Sequence, residues 1–397
     1  MGIFQNDSRN KTPALKILHA SREIRADSRY GMGRVNASLL KGLNQIGIQS
    51  DYICASDMDA ASLAQAAHWR KQLARLCPAD IQPVVHVLVS AWQTGRMAAR
   101  RAIDQAYTHL HCHDAVVAAG ASHELAGQRI AWGISEHGFS CVAQALHAYI
   151  QPLPRWLRWL LWQWERRVTR AANWIVCPTV SGRANLASEL KLPIDARWHA
   201  IPHARPDLNL PEKRSARRIL GWDQRSRYLL AVGQLIPLKR FELIIDAMTA
   251  LPTDWRLVLL GDGDAAPYLA RAERLGIAPP IITAADDVGP YLAAADAFVS
   301  ASQTESFGMA ILEAMTAGLP IVCTQVGGVS DVVGEAAELA AADGSDLAQR
   351  LSTVLADPAH CTTLAARSRA RAEQWPDQKA VAREYHAMYL AAETNRR

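Results

Sequence analysis

The chain has 397 residues, 50% of them hydrophobic and 20% charged, with a formal net charge of +5. That length suits two domains of about 100–200 residues each, and the composition excludes a disordered polyelectrolyte. A helical membrane span is excluded as well, because no apolar run approaches the ~18 residues that one needs.

Residues 1–13 are polar and lack the apolar core of a secretory signal, so a flexible tail is expected there. The seven cysteines are scattered without a Cys-x-x-Cys pair. This pattern points away from a zinc knuckle or a disulfide framework and toward a reducing cytoplasm. The modest positive charge is compatible with anionic ligands or an anionic membrane surface.

Residues 15–20 read as a short apolar strand. A polar loop follows and ends in Gly31-Met32-Gly33, after which Val35, Leu39, Leu43 and Ile46 recur at helical spacing up to Gly47. A second strand at 51–54 completes a strand–loop–helix–strand unit. His109, His111 and His113 alternate, so on a strand they point one way. Their flanks read as interior strand, and no metal is assigned to them. His113 and Asp114, at the strand end, are expected to line a cleft. Residues 130–135 form a further strand signal leading to His137-Gly138, where a lone histidine reads either as a packing residue or as a group that reaches a ligand.

Residues 152–170 interleave Trp156, Trp159, Trp162 and Trp164 with Arg155, Arg158, Arg166, Arg167 and Arg170. As a helix this segment gathers Leu153, Trp156, Leu157, Leu160, Leu161 and Trp164 on one side. Two readings stand. The helix is packed into the core of the first domain, or Trp156, Trp159, Arg155 and Arg158 meet an anionic membrane surface, where tryptophan and arginine are both favoured. No nucleic-acid-binding fold accompanies these residues, so no nucleic-acid partner is expected.

Residues 205–227, rich in proline and charge, read as a linker with a short helix. The strand signal restarts at 228–233. A loop with Pro237, a helix through Phe241, Ile244, Ile245 and Met248, and a strand at 256–260 follow. A last helix over 376–397 carries Val381, Tyr385, Met388 and Tyr389. Strands alternating with helices predict an α/β architecture with parallel sheets in both halves, 14–204 and 228–375. Open parallel sheets bind ligands at the carboxyl ends of their strands, which here face the cleft between the two halves.

The segment from Glu305 to Glu313 is the most informative. Two carboxylates eight positions apart fall close to one face of a helix. Between them a small, Gly-containing start lets backbone amides approach a ligand closely, and a helix N-terminus favours an anion. Two solvated helix glutamates are the plain alternative, but the apolar residues around Glu313 speak for a buried position. A carboxylate, a phosphate cradle and a second carboxylate suit a nucleotide sugar.

Further pieces stand in a definite order: Val232-Gly233-Gln234, Pro237-Leu238-Lys239, Leu259-Leu260-Gly261-Asp262-Gly263, Ala295-Asp296-Ala297-Phe298-Val299, Ser302 through Gly308, Glu313 through Pro320, and Gly327-Gly328. This run resembles the GT-B-fold retaining glycosyltransferases of glycosyltransferase family four. The likeness is dense from Leu229 to Val333 and looser over the first half.

The resemblance implies two Rossmann-like domains facing a central cleft, with the terminal helix crossing back to the first. It implies a nucleotide-sugar donor, UDP- or GDP-linked, no cofactor and no metal, and a glycan or lipid-linked acceptor. Glu313 would bind the ribose hydroxyls, Glu305 would sit by the transferred sugar, and Lys239 would neutralise the diphosphate. The amides of Phe307, Gly308 and Met309 would hold phosphate. His137 would reach the sugar or phosphate from the first domain, Gly31 and Gly33 would form the glycine loop, and His113 and Asp114 would line the acceptor side.

Gln234 stands beside Gly233 where the family usually has arginine, and Arg240 is the candidate replacement cation. Asp57-Met58-Asp59 and Asp262-Gly263-Asp264 spell Asp-x-Asp, a pattern that arises readily by chance, and are given no metal. The expected function is sugar transfer with retention in cell-surface polysaccharide or glycolipid synthesis, in the cytoplasm and peripheral on the inner face of its membrane. A non-catalytic sugar-nucleotide-binding partner protein and a sugar-nucleotide epimerase of the same fold are the alternatives.

Overall fold

The structure, a computed structural model, describes residues 15–23, 31–149 and 152–394. These form two six-stranded parallel sheets. In the first, β1 (Lys16–Ser21), β2 (Gln49–Cys54), β3 (His109–Cys112), β4 (Ala131–Ser135), β5 (Ile175–Cys177) and β6 (Trp198–Ala200) lie in the order 2-1-3-4-5-6. In the second, β7 (Arg227–Val232), β8 (Trp255–Leu260), β9 (Ile281–Thr283), β10 (Ala297–Ser300), β11 (Ile321–Thr324) and β12 (Glu338–Ala340) lie in the order 12-11-10-7-8-9.

Both sheets are buried on two faces, so every residue of β3 and β11 and all but the first of β1 is buried, the histidines included. The strand period of two still sorts the second core. Leu230, Val258, Phe298 and Ile321 face one helical layer, while Leu229, Leu257, Val299 and Val322 face the other.

In the first domain the helix Gly31–Gln45 lays Leu39 and Leu43 against Ile17 and against Val381, Tyr385 and Tyr389 of the helix Gln378–Thr394. The two helices approach so closely at Gly42 that a Cβ there would lie 2.4 Å from the Gln378 carbonyl oxygen. The C-terminal helix therefore completes the core of the first domain. It is tied back by the backbone N–H of Arg205, which donates to the Pro376 carbonyl.

The two domains touch directly beside the cleft. The Thr179 hydroxyl donates to the Ser306 carbonyl at 3.2 Å, and the Ser181 N–H donates to the Asp331 carboxylate at 2.8 Å. A Cβ on Gly328 would lie 2.1 Å from the Ser306 carbonyl oxygen and 2.6 Å from Thr179 Oγ1, so only glycine fits at this contact.

Candidate active site

A cleft of about 890 Å³ opens between the domains at the carboxyl ends of β7 and β10. The first domain contributes Met32, Arg34, His137 and His203 to its wall. The second contributes Gly233, Gln234, Lys239, the run 305–310 and Glu313.

Glu305 does not lie on a helix, contrary to the shared helical face expected for it and Glu313. The helix begins at Met309, after Gly308, whose φ of 86° and ψ of 62° are left-handed and end any helical path from the preceding loop. Glu305 is held in that loop by the Ser302 hydroxyl at 2.9 Å and by an ion pair with Lys239. Lys239 closes the short 3-10 turn Pro237–Lys239 that follows β7. Its aliphatic stem passes so close to Gly233 that a Cβ there would lie 3.1–3.3 Å from it.

Phe307 is buried, with its ring 4.6 Å from that of His203 and 5.7 Å from that of Trp375. This packing turns the backbone at Gly308 so that the first turn of the helix Met309–Thr316, with its positive dipole end, meets the cleft. Glu313 lies one turn further in and is only 2% exposed. Burial pushes its carboxyl above the usual range, and the ion-paired Arg34 guanidinium opposes that rise.

On the first-domain side, His137 follows β4. Its Nε2 shares a hydrogen bond with His113 Nδ1 at 2.9 Å, and His113 Nε2 shares one with His19 Nδ1 at 3.1 Å. The rings stack in file: His137 is 5.2 Å from His113 and 5.5 Å from His203. Burial lowers the His137 imidazole to about 4, helped by the charge of Arg22, and burial takes His19 to about 3. His111, His113 and His203 are likewise held well below the usual histidine range by burial. All five rings are therefore neutral near pH 7, able to donate and accept one hydrogen bond each.

Three expected positions differ. Arg240 does not line the cleft. It adopts a left-handed φ of 46°, and its guanidinium donates to the carbonyls of Ala301, Ser302, Ala342 and Asp343. Four carbonyls leave it no reach toward a diphosphate, so it braces the loop behind Glu305 and does not replace the missing arginine. His113 is buried behind His137, outside the cleft wall. Asp114 caps the helix Ala115–Glu124 by accepting from the Val117 N–H at 2.7 Å, and pairs with Arg22 at 3.3 Å. Neither residue borders the cleft.

Gly31 and Gly33 lie in the first turn of the helix Gly31–Gln45, while most of the loop expected before them, 24–30, lies outside the described residues, as does the tail 1–13. Trp156 and Trp159 are 58% and 57% exposed beside Arg155 and Arg158, whereas Leu161 and Val168 of the same helix, Arg155–Ala171, are buried. One face of this helix is core and another is open. No described helix is long and apolar enough to cross a membrane.

Arg34, His203 and His19 were not singled out from the sequence. Arg34 had a signal, since it directly follows Gly31-Met32-Gly33 at the mouth of a helix. His203 had a weaker one, a polar residue just past the carboxyl end of β6. His19 is a polar residue inside an apolar strand, which a search for buried polar groups would find.

Two parallel sheets facing a cleft, each flanked by helices, with a helix N-terminus and a lysine at the cleft wall, define a GT-B fold. Residues 30–205 match the family described as Glycosyltransferase Family 4, and residues 226–357 match Glycosyl transferases group 1. The chain thus carries both of these glycosyltransferase domains.

It is 26% identical over 257 residues to the sulfoquinovosyl transferase SQD2 of Arabidopsis thaliana, which covers 60% of this chain and 48% of that protein. It is 29% identical over 182 residues to the lipopolysaccharide core biosynthesis mannosyltransferase LpsB of Rhizobium meliloti, covering 43% and 50%. The chain thus spans about half the length of these relatives. Among solved structures, sucrose-phosphate synthase of Thermosynechococcus elongatus superposes with a TM-score of 0.75 at 17% identity, over 94% of this chain and 98% of that one. Anabaena HepE, solved in complex with UDP-glucose, gives 0.69 at 17% identity over 95% and 100%. At such identities these likenesses speak for the fold.

Proposed function

We propose that the protein transfers a sugar from a UDP- or GDP-linked donor to a glycan or lipid-linked acceptor, with retention of anomeric configuration and without a metal. The observation that carries this reading is the arrangement of Lys239, the first turn of the helix Met309–Thr316 and Glu313 along one wall of the cleft. A cation and a helix N-terminus suit a diphosphate, and a buried carboxylate beside them suits a ribose diol.

In this reading the Lys239 ammonium and the helix amides stabilise charge that grows on the leaving diphosphate. Glu305, which holds Lys239 by its ion pair, lies beside the transferred sugar. The bond from sugar C1 to the leaving oxygen breaks, the acceptor oxygen bonds C1 on the same face, and the acceptor proton passes to the departing phosphate oxygen. The neutral His137 imidazole offers a hydrogen bond to the sugar or phosphate from the opposite wall, fixed in orientation by His113. Positioning and charge stabilisation then account for the catalysis. The work would lie in polysaccharide or glycolipid synthesis on the cytoplasmic face of a membrane, with the exposed tryptophans and arginines of the helix Arg155–Ala171 meeting anionic lipid.

Thermal melting with UDP- and GDP-sugars tests the donor. A ligand at a hundred times its dissociation constant adds about 2.7 kcal/mol of stability. No shift with any nucleotide sugar or free nucleoside diphosphate would remove the donor assignment.

Gln234 favours a second reading, a non-catalytic sugar-nucleotide-binding protein, because it puts an uncharged amide at the cleft wall beside Lys239. Nucleotide binding without transfer or donor hydrolysis would decide for it.

A further inference from the structure

Away from the cleft, the first domain carries a second cavity of about 720 Å³, within the range typical of ligand sites. It lies between the helices Ala60–Leu76, Gln82–Asp104 and Arg155–Ala171, with Val116 of the helix Ala115–Glu124 at its floor. Trp69, Trp92, Trp159 and Trp164 line it, and its polar side chains are Gln163 and Arg167. Trp69 is 44% exposed, Trp159 57% and Leu160 48%.

The surrounding charge is one-sided. The three helices carry eleven lysines and arginines and two acidic residues, and one of those two, Glu165, is buried. Arg96 and Arg100 are paired with Glu124 of the adjoining helix Ala115–Glu124, whereas the helix Arg155–Ala171 carries five arginines against the buried Glu165 alone.

We propose that this groove binds one hydrocarbon chain of an anionic membrane lipid, whose headgroup meets the arginines of the helix Arg155–Ala171. The proposal deepens the membrane-peripheral part of the reading above and is independent of the transfer chemistry. An alkyl chain fits the lining because it brings no polar group into the groove. A peptide would bring backbone N–H and C=O groups that Gln163 and Arg167 alone cannot satisfy. Tryptophan is favoured where an apolar interior meets a wet, charged surface, and the five arginines of the helix Arg155–Ala171, opposed on that helix only by the buried Glu165, are attracted to anionic lipid. Val116 lies two residues beyond Asp114, and His113 bonds the cleft residue His137. The groove residue Val116 is therefore three positions from a residue that bonds a cleft-wall histidine.

The test uses the full chain with vesicles of phosphatidylglycerol and phosphatidylcholine whose acyl chains are brominated near the carboxyl end or near the methyl end. Bound bromine quenches tryptophan emission. Expected are saturable quenching by both bromine positions and at least tenfold weaker association of the Trp159→Ala, Leu160→Asn double variant. Both substituted residues are about half exposed, and neither change alters charge, so folding and long-range attraction are preserved. Melting temperature and nucleotide-induced stabilisation serve as the checks on fold and cleft.

Cosedimentation without deep quenching, or with quenching that the double variant leaves unchanged, means adsorption by charge alone and overturns the groove assignment. Failure to cosediment at low salt overturns both the groove and the peripheral attachment, while leaving the donor reading to the nucleotide assay. A wild-type dimer that the double variant converts to monomer gives the groove to a second copy of the chain, and that too overturns the proposal.

Discussion

Arg34 and Glu313 form an ion pair across the interdomain cleft, the guanidinium from the first domain and the carboxylate from the second. The buried acid of the proposed donor site is thus already engaged, and a ribose must share it with Arg34. Replacing Glu313 by alanine removes a charged acceptor worth about 1.5–3 kcal/mol. The expected result is roughly ten- to a hundredfold weaker binding of free nucleoside diphosphate by calorimetry. Wild-type affinity in Glu313→Ala would sink the ribose assignment.

The same pair has a pH signature. Burial holds the Glu313 carboxyl above its ordinary value even with Arg34 beside it. The folded protein then keeps this proton longer than the unfolded chain, so the group's contribution to stability falls as pH rises through the window just above the ordinary carboxylate value. Arg34→Ala removes the compensating cation and steepens that fall. Urea unfolding should show a larger loss at pH 7 than at pH 4.5, approaching the 3–5 kcal/mol typical of a broken buried pair at about neutral pH. An equal loss at both values would mean that Arg34 acts by packing alone.

Lys239 and Gln234 test the leaving-group wall. Lys239→Ala should lower turnover about 10²–10³-fold, as loss of one preorganised stabilising group does. Glu305→Ala should reduce turnover more than nucleotide affinity. Gln234→Arg adds a cation at the cleft and should raise transfer or donor hydrolysis. Unchanged rates in both Lys239→Ala and Gln234→Arg would place the diphosphate elsewhere.

The histidine file predicts acid sensitivity. His19 and His137, lowered to about 3 and about 4, stay neutral in the folded protein while the unfolded chain takes up protons from about pH 6.5 downward. Stability is therefore lost as pH falls from about 6.5 toward these values, on the order of 3 kcal/mol from His19 alone by pH 4. Denaturation midpoints at pH 7, 6 and 5 measure it, and a His19→Leu variant should lose less between pH 7 and 5 than the wild type. A flat wild-type profile over that range would contradict the neutral assignment.

Gly42 provides a packing test. A methyl group there would meet the Gln378 carbonyl oxygen at 2.4 Å and push the C-terminal helix off the first domain. Gly42→Ala should cost about 1–3 kcal/mol, the usual range for overpacking. Thermal unfolding that matches the wild type would show that the helix can shift freely.

The sequence by itself determined the α/β class, because buried parallel strands and amphipathic helices leave local patterns that survive without neighbours. It also marked Glu313, Lys239 and His137, whose order along the chain is a linear property, and the run of tryptophan and arginine at 155–170. Tertiary structure alone decided that Glu305 stands in a loop, because a left-handed Gly308 stops the helix and spacing carries no φ angle. It decided that Arg240 bonds carbonyls instead of facing the cleft, that Asp114 is a helix cap, and that His19, His113 and His137 stand in one file. Asp114 caps through Val117, three positions on, whereas the Arg240 and histidine contacts join residues separated by 24 to 103 positions along the chain. Their geometry is fixed only when distant segments pack, so no local pattern in the chain could record it.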